Sequence, residues 1–240
     1  MTTTELSQRR LNWAALVEST LLGCVGVMLL AKAQSGVLVF YIHPRYTPLI
    51  VACGLALLVI AGARMPAMIS HAPEPFRRRG WRYILLTIPL LLGTVVPAQP
   101  LGAGNLSSAA FDAVVAPGAD SLDDENTHQW NLFQWAVALS VRGDELLGRE
   151  ADVVGFVYHD SQQPLDGFFV MRYVITCCTA DGNGAGVPVV WRGGAALPAD
   201  GWVRVRGTIG TTMVGDRVAP ALLAASVETV LRPKNPYLSP

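Results

Sequence analysis

Of the 240 residues, 51% are hydrophobic and only 15% are charged, where a soluble domain usually carries about a quarter. The formal net charge of +0 conceals a split: through Arg82 there are nine basic and three acidic residues, and the remainder holds nine basic against fifteen acidic, a net of −6. Affinity for nucleic acid comes largely from neutralising phosphates, so an acidic C-terminal part argues against that partner.

The apolar excess lies near the N-terminus and points to a membrane part. Residues 11–31, "LNWAALVESTLLGCVGVMLLA", hold one charge, Glu18, over 21 positions. That length crosses a hydrocarbon core of ~30 Å at ~1.5 Å per residue. Residues 46–63 are uncharged and suffice for a second span, and residues 83–100 form a third candidate that contains Pro89. Arg9 and Arg10 precede the first span, and Arg64, Arg77, Arg78, Arg79 and Arg82 lie between the second and third. The intervening loop carries only Lys32 and Arg45, so the basic bias puts the N-terminus in the cytoplasm. Three crossings then put the rest of the chain outside the cell. "AKA" at 31–33 also resembles a signal-peptidase site, and cleavage of residues 1–33 would leave the later topology unchanged.

Glu18 sits ~10 Å along its helix from Leu11. An intramembrane carboxylate suggests an ion path or a partner contact; the alternatives are that it snorkels or that the helix starts later. His43 and Arg45 flank Pro44 in the short outer loop, as a partner contact or simply a fixed turn. The run at Arg77, Arg78 and Arg79 reads as a topology signal against anionic membrane lipid. Cys24 and Cys53 read as small packing residues.

Residues 105–125 are rich in Gly, Ala, Ser and Asp and read as a linker, with a solvated acidic cluster at Asp123, Asp124 and Glu125. "HQWNLFQWAVALSVRG" puts Trp130, Phe133, Ala136 and Val137 at helical spacing, with Gly143 as a stop. Five β-type runs follow: "ADVVGFVYHD", "GFFVMRYVIT", "GVPVVWRG", "GWVRVRGTIG" and "ASVETVLRP". In the fourth, Arg204 and Arg206 alternate with Val203 and Val205, the pattern of a half-buried antiparallel strand. The fold expected is three transmembrane helices over residues 1–104, the linker, and a small extracytoplasmic β-barrel of OB type over 126–240, with one preceding helix.

Three stretches carry a resemblance: "YIHPRYTPLI" (41–50), the third candidate span running into "PAQPLG", and "GFFVMRYVITCCTAD" (167–181). They are similar to an uncharacterised bacterial membrane-protein family, the YcgQ-like proteins. The arrangement of Arg172, Cys177, Cys178 and Asp181 is the most specific part. The resemblance implies an accessory subunit beside a multi-spanning permease, and brings no enzyme activity with it.

The paired cysteines have three readings. Neighbouring Cα atoms are ~3.8 Å apart, short of the usual disulfide range of ~4.4–6.8 Å, so a bridge would be strained and reducible. On a regular strand the two thiols point to opposite faces, one into the barrel core; a bulge or turn would aim both at one ligand. Asp181 would then supply oxygen and His159 or His128 nitrogen to a divalent metal ion such as zinc, with Arg172 and Asp181 as ligand-binding residues. The C-x₂₋₄-C spacing of structural zinc is lacking. No P-loop, G-x-G-x-x-G, H-E-x-x-H or G-x-S-x-G motif is present, so no catalytic residue is assigned. The function expected is a permease-accessory subunit with a metal-handling Cys-Cys-x-x-Asp site. A thiol redox protein outside the cytoplasm, the sole enzymatic alternative, and a structural assembly factor without a ligand site stand beside it.

Overall fold

The computed structural model describes residues 10–70, 80–106, 124–160, 164 and 166–239. The Arg77–Arg79 run, most of the linker, and Asp123 lie outside the described residues. The chain divides into two compact units, Met1–Gln99 and Pro100–Pro240.

The first unit is helical. Helix α1, Trp13–Gln34, starts where the Asn12 side chain accepts from the Ala15 N–H at 3.2 Å, and ends at Ser35 ahead of Gly36 at φ +73°. A short 3-10 turn, Pro44–Tyr46, leads into α2, Thr47–Ala63. The two helices pack through small residues: a Cβ on Gly26 would come within 2.9 Å of the Gly54 carbonyl oxygen. Ala15, Ser19 and Ala61 are buried, whereas Leu49, Leu55 and Val59 are exposed, Val59 at 71%. Apolar outer faces with small residues between the helices are the pattern of helices in lipid. Among the described residues, two helices are long and apolar enough to cross a membrane.

Helix α3, Gly80–Val95, has 16 residues. The span expected over 83–100 thus starts earlier and stops short. Pro97 disfavours helical backbone at Val96, and Pro100 follows. At ~1.5 Å per residue the helix is ~24 Å long, less than the core of a bilayer.

In the second unit, α4, Leu132–Arg142, is capped reciprocally by Asn131 and Gln134. Because Asn131 is the cap, Trp130 lies before the helix. The residues buried in the helix are Leu132, Trp135, Ala136, Val137, Ala138 and Leu139, with Phe133 partly buried. Of the apolar positions expected from the spacing, Ala136 and Val137 are buried in the helix and Trp130 is buried just before it. Trp130 still packs edge-on against Trp135, with ring centroids 5.0 Å apart.

Five strands follow: β1 Glu150–Tyr158, β2 Gly167–Val174, β3 Asn183–Val190, β4 Trp202–Val214 and β5 Arg217–Thr229. Their order is β1-β2-β3-β5-β4, and β4 pairs back onto β1, so the sheet closes on itself. All pairings are antiparallel except β3 with β5, which meet at Val189↔Leu222 and Val190↔Leu223. The last strand starts eight residues earlier than its β-type run, across a two-residue turn opened by Gly215 at φ +59°. A bulge between Arg206 and Gly207 bends the hairpin; a Cβ on Gly207 would strike the Leu223 carbonyl oxygen. Pro220 is tolerated because the β3 pairing reaches only residues 222 and 223, which leaves its other edge open.

Two separate cores result. One joins α4 to inward residues such as Val153, Val157, Phe168, Val170, Val189 and Leu222. The other gathers Phe156, Phe169, Met171, Tyr173, Ile175 and Tyr237, with Leu101, Ala103 and Leu106 packed against it. Residues 101–106 form a strap over this second core. The Leu101 N–H donates to Tyr237 Oη at 2.9 Å, and Tyr173 Oη donates to the Gly102 carbonyl at 3.1 Å. The Ala103 N–H donates to Asp200 Oδ1 at 2.6 Å.

Candidate functional site: a dithiol turn

The two cysteines stand in the connection between β2 and β3. Strand β2 ends at Val174, paired with Asn183, so residues 175–182 form the loop. Ile175 stays buried in the second core, and the chain then turns outward. A 3-10 turn, Thr179–Asp181, brings Asp181 back under the loop. Its Oδ1 accepts from the Thr176 N–H at 3.1 Å and its Oδ2 from the Cys177 N–H at 2.8 Å. One aspartate thus satisfies the orphan donors left where the ladder stops.

This turn sets both thiols side by side. Cys177 Sγ donates to Cys178 Sγ at 3.7 Å; Cys177 is exposed and Cys178 half-buried. The opposite-face arrangement of a regular strand does not occur, and neither thiol enters the barrel core. The physical reason is that the strand ends three residues before Cys177.

The electrostatics follow from the same contacts. The hydrogen bond to Asp181, then that to Cys178, pushes the Cys177 thiol up to about 11. In return the Cys177 thiol, with the N–H groups of Cys177, Thr176 and Cys178, holds the Asp181 carboxyl below its ordinary range. At neutral pH the turn pairs a carboxylate with a protonated Cys177. A hydrogen bond to a charged acceptor favours that acceptor's charged form and disfavours ionising the donor.

The other residues singled out in the sequence go elsewhere. Arg172 is drawn to the C-terminal tail: its Nη2 donates to the Asn235 carbonyl at 2.8 Å and its Nε to the Pro236 carbonyl at 3.1 Å. The guanidinium also lies 5.6 Å from the Trp202 ring centroid, and burial lowers it to about 10, still charged at neutral pH. Its contacts are those of a clamp on the tail. His159 Nε2 is 2.8 Å from the Leu197 carbonyl oxygen, and His128 is exposed in the 3-10 segment before α4. The ligand set Cys177, Cys178, Asp181 and His159 is not assembled. Among the described residues no group of three His, Cys, Asp or Glu side chains is placed to hold a metal ion.

In the helical unit, Glu18 is paired. Arg64 Nη2 lies 2.8 Å from Glu18 Oε2, and Tyr83 Oη donates to Oε1 at 3.5 Å. One polar cluster therefore joins α1, the end of α2, and α3. His43 Nδ1 accepts from the Arg45 N–H and Nε, each at 3.2 Å, and Arg45 lies 5.9 Å from the Tyr46 ring centroid. These contacts fix the turn at Pro44.

Sequence reasoning missed Arg64 and Tyr83 as partners of Glu18, and Tyr237 and Asp200 as anchors of the strap. For Arg64 a signal existed: two antiparallel helices bring the start of the first beside the end of the second.

The chain is similar to the UPF0703 protein YcgQ of Bacillus subtilis (strain 168), at 22% identity over 200 residues, covering 69% of this chain and 70% of that protein. No solved structure matches. The model of the DUF1980 C-terminal domain matches residues 121–240, half of the chain and all five strands of the closed sheet with α4; the chain belongs to the DUF1980 family.

Proposed function

We propose that the protein is an accessory subunit of a multi-spanning membrane permease, anchored by its helices and presenting an OB-type domain outside the cytoplasm. The strand order β1-β2-β3-β5-β4, with its parallel β3–β5 contact, supports an OB-type barrel. The basic bias around the helices supports a cytoplasmic N-terminus. A third crossing is supported by α3 together with the apolar stretch after it. The net charge of −6 after Arg82 argues against the oligonucleotide binding common among OB folds.

The observation that carries the reading is the exposed sulfur pair, 3.7 Å apart, on a turn held by Asp181. Two soft donors, with no larger group of His, Cys, Asp or Glu ligands around them among the described residues, suit transient contact with a thiophilic metal ion, completed by the partner's groups. Asp181 would orient the turn, because both its oxygens accept backbone N–H groups.

Affinity purification of the full chain from detergent-solubilised membranes tests this. A multi-spanning permease should co-purify, and zinc or cadmium should protect both thiols from alkylation in the complex until a chelator is added. Recovery of the chain alone, with thiols equally reactive with or without metal, would overturn it.

A further inference from the structure

We infer that Cys177 and Cys178 form a thiol–disulfide exchange site, whose substrate is an exposed disulfide on a small molecule or a partner protein. The inference stands on the dithiol turn alone and is independent of the permease and metal readings.

The geometry supplies what exchange needs. The sulfurs are 3.7 Å apart and accessible, on a loop outside the hydrogen-bonded ladder, so closing an S–S bond of ~2.0 Å requires movement of the turn only. The Cα separation of ~3.8 Å fixed by one peptide bond lies below the ordinary disulfide range. The product is strained, and strained, exposed disulfides are the oxidising, labile ones that pass their oxidation on. A buried, relaxed bridge would instead be inert.

The contacts also assign an order to the steps. Cys177 Sγ–H donates to Cys178 Sγ at 3.7 Å, and a donated hydrogen bond favours the thiolate of its acceptor, so Cys178 reacts first. Cys178 gives up its proton and attacks one sulfur of the substrate disulfide. That S–S bond breaks, a mixed disulfide forms on Cys178, and the departing thiolate takes up a proton. Cys177 then loses its proton to solvent and attacks Cys178 Sγ, expelling the second substrate sulfur as a thiol. The protein dithiol is oxidised by two electrons and the substrate disulfide is reduced to two thiols; a dithiol in excess drives the reverse.

The test uses the full chain in detergent with Cys24→Ala and Cys53→Ala, so that only the turn carries sulfur nucleophiles. Glutathione disulfide is the probe, and acid-quenched samples are read by intact mass and peptide mapping. The expected product has lost two hydrogens, carries no glutathione, maps to the 177–178 peptide and returns to the dithiol with reduced glutathione. Adding Cys177→Ser should stop the reaction at a single glutathione adduct on Cys178. A turn that ends with two stable glutathione adducts, only intermolecular dimers, or two free thiols would overturn the inference. Matching thermal melts of the two forms exclude misfolding as the cause of any difference.

Discussion

Arg172 reaches the Asn235 carbonyl oxygen at 2.8 Å, across 63 residues of sequence. The contact coincides with a gap in the sheet. Strand β1 pairs with β2 only through Met171, and beyond it the tail takes over: the Leu238 N–H donates to the Tyr173 carbonyl and the Ile175 N–H to the Leu238 carbonyl. The arginine therefore pins a short substitute strand beside the segment that leads into the dithiol turn. Arg172→Met should destabilise the chain by about 1.5–3 kcal/mol, the range for hydrogen bonds from a charged donor. Urea melts monitored by tryptophan fluorescence would measure it. Arg172→Lys should recover only part, since an ammonium cannot reproduce the planar fork.

Glu18 and Arg64 answer each other within one helical unit, so each single neutralisation removes one side of the ion pair. Glu18→Gln and Arg64→Gln should each lower thermal stability in detergent, and the double variant should recover much of the loss. The coupling expected is about 1 kcal/mol, because Arg64 is 46% exposed and Glu18 21%. If Glu18→Gln leaves the melt unchanged while Arg64→Gln lowers it, the pair is not the unit described.

Asp181→Asn removes the charge that keeps the Cys177 proton in place. A return from about 11 toward an ordinary thiol value raises the thiolate fraction at pH 8 by about a hundredfold. Intrinsic nucleophilicity falls with the same shift, leaving a net gain of about tenfold in the rate at which Cys177 closes on a Cys178 mixed disulfide. Stopped-flow decay of the glutathione adduct measures that step; a rate equal to or below that of the parent would contradict the assigned role.

Tyr173 gives the strap a pH signature. Burial, then the charges of Asp200, Tyr237 and Tyr158, pushes its phenol up to about 12. A folded value above the unfolded one of ~10 means its contribution is complete below that pH and lost as pH rises through about 12. The wild type should show a late phenolate absorbance step that Tyr173→Phe lacks. The variant's stability should also depend less steeply on pH across that window, at the loss of the hydrogen bond to Gly102.

The five strands were legible where β-branched and aromatic residues run without interruption, as in 151–158 and 167–174. The start of β5 was hidden by Pro220 and by the bulge at Gly207, whose tolerance depends on which edges other strands leave open. The apolar residues of α4 were legible, but its start was not: Asn131 is the cap, so Trp130 precedes the helix. For the candidate site, the pairing of Cys177 and Cys178 with Asp181 was visible as a short motif, but its geometry was not. Where β2 ends is decided by β1 diverging and a tail arriving from residue 238, and that contact leaves no local pattern in the sequence. The same non-locality concealed the true partners of Arg172.

The sulfur pair is accessible and is proposed to face the outside of the cell, and thiol labelling in intact cells addresses both properties at once. With Cys24→Ala and Cys53→Ala in place, a membrane-impermeant maleimide should modify Cys177 and Cys178 in unbroken cells. Prior treatment with a bifunctional trivalent arsenical, which requires two neighbouring thiols, should block the reaction. Labelling that appears only after permeabilisation, or that the arsenical leaves unchanged, would contradict the account.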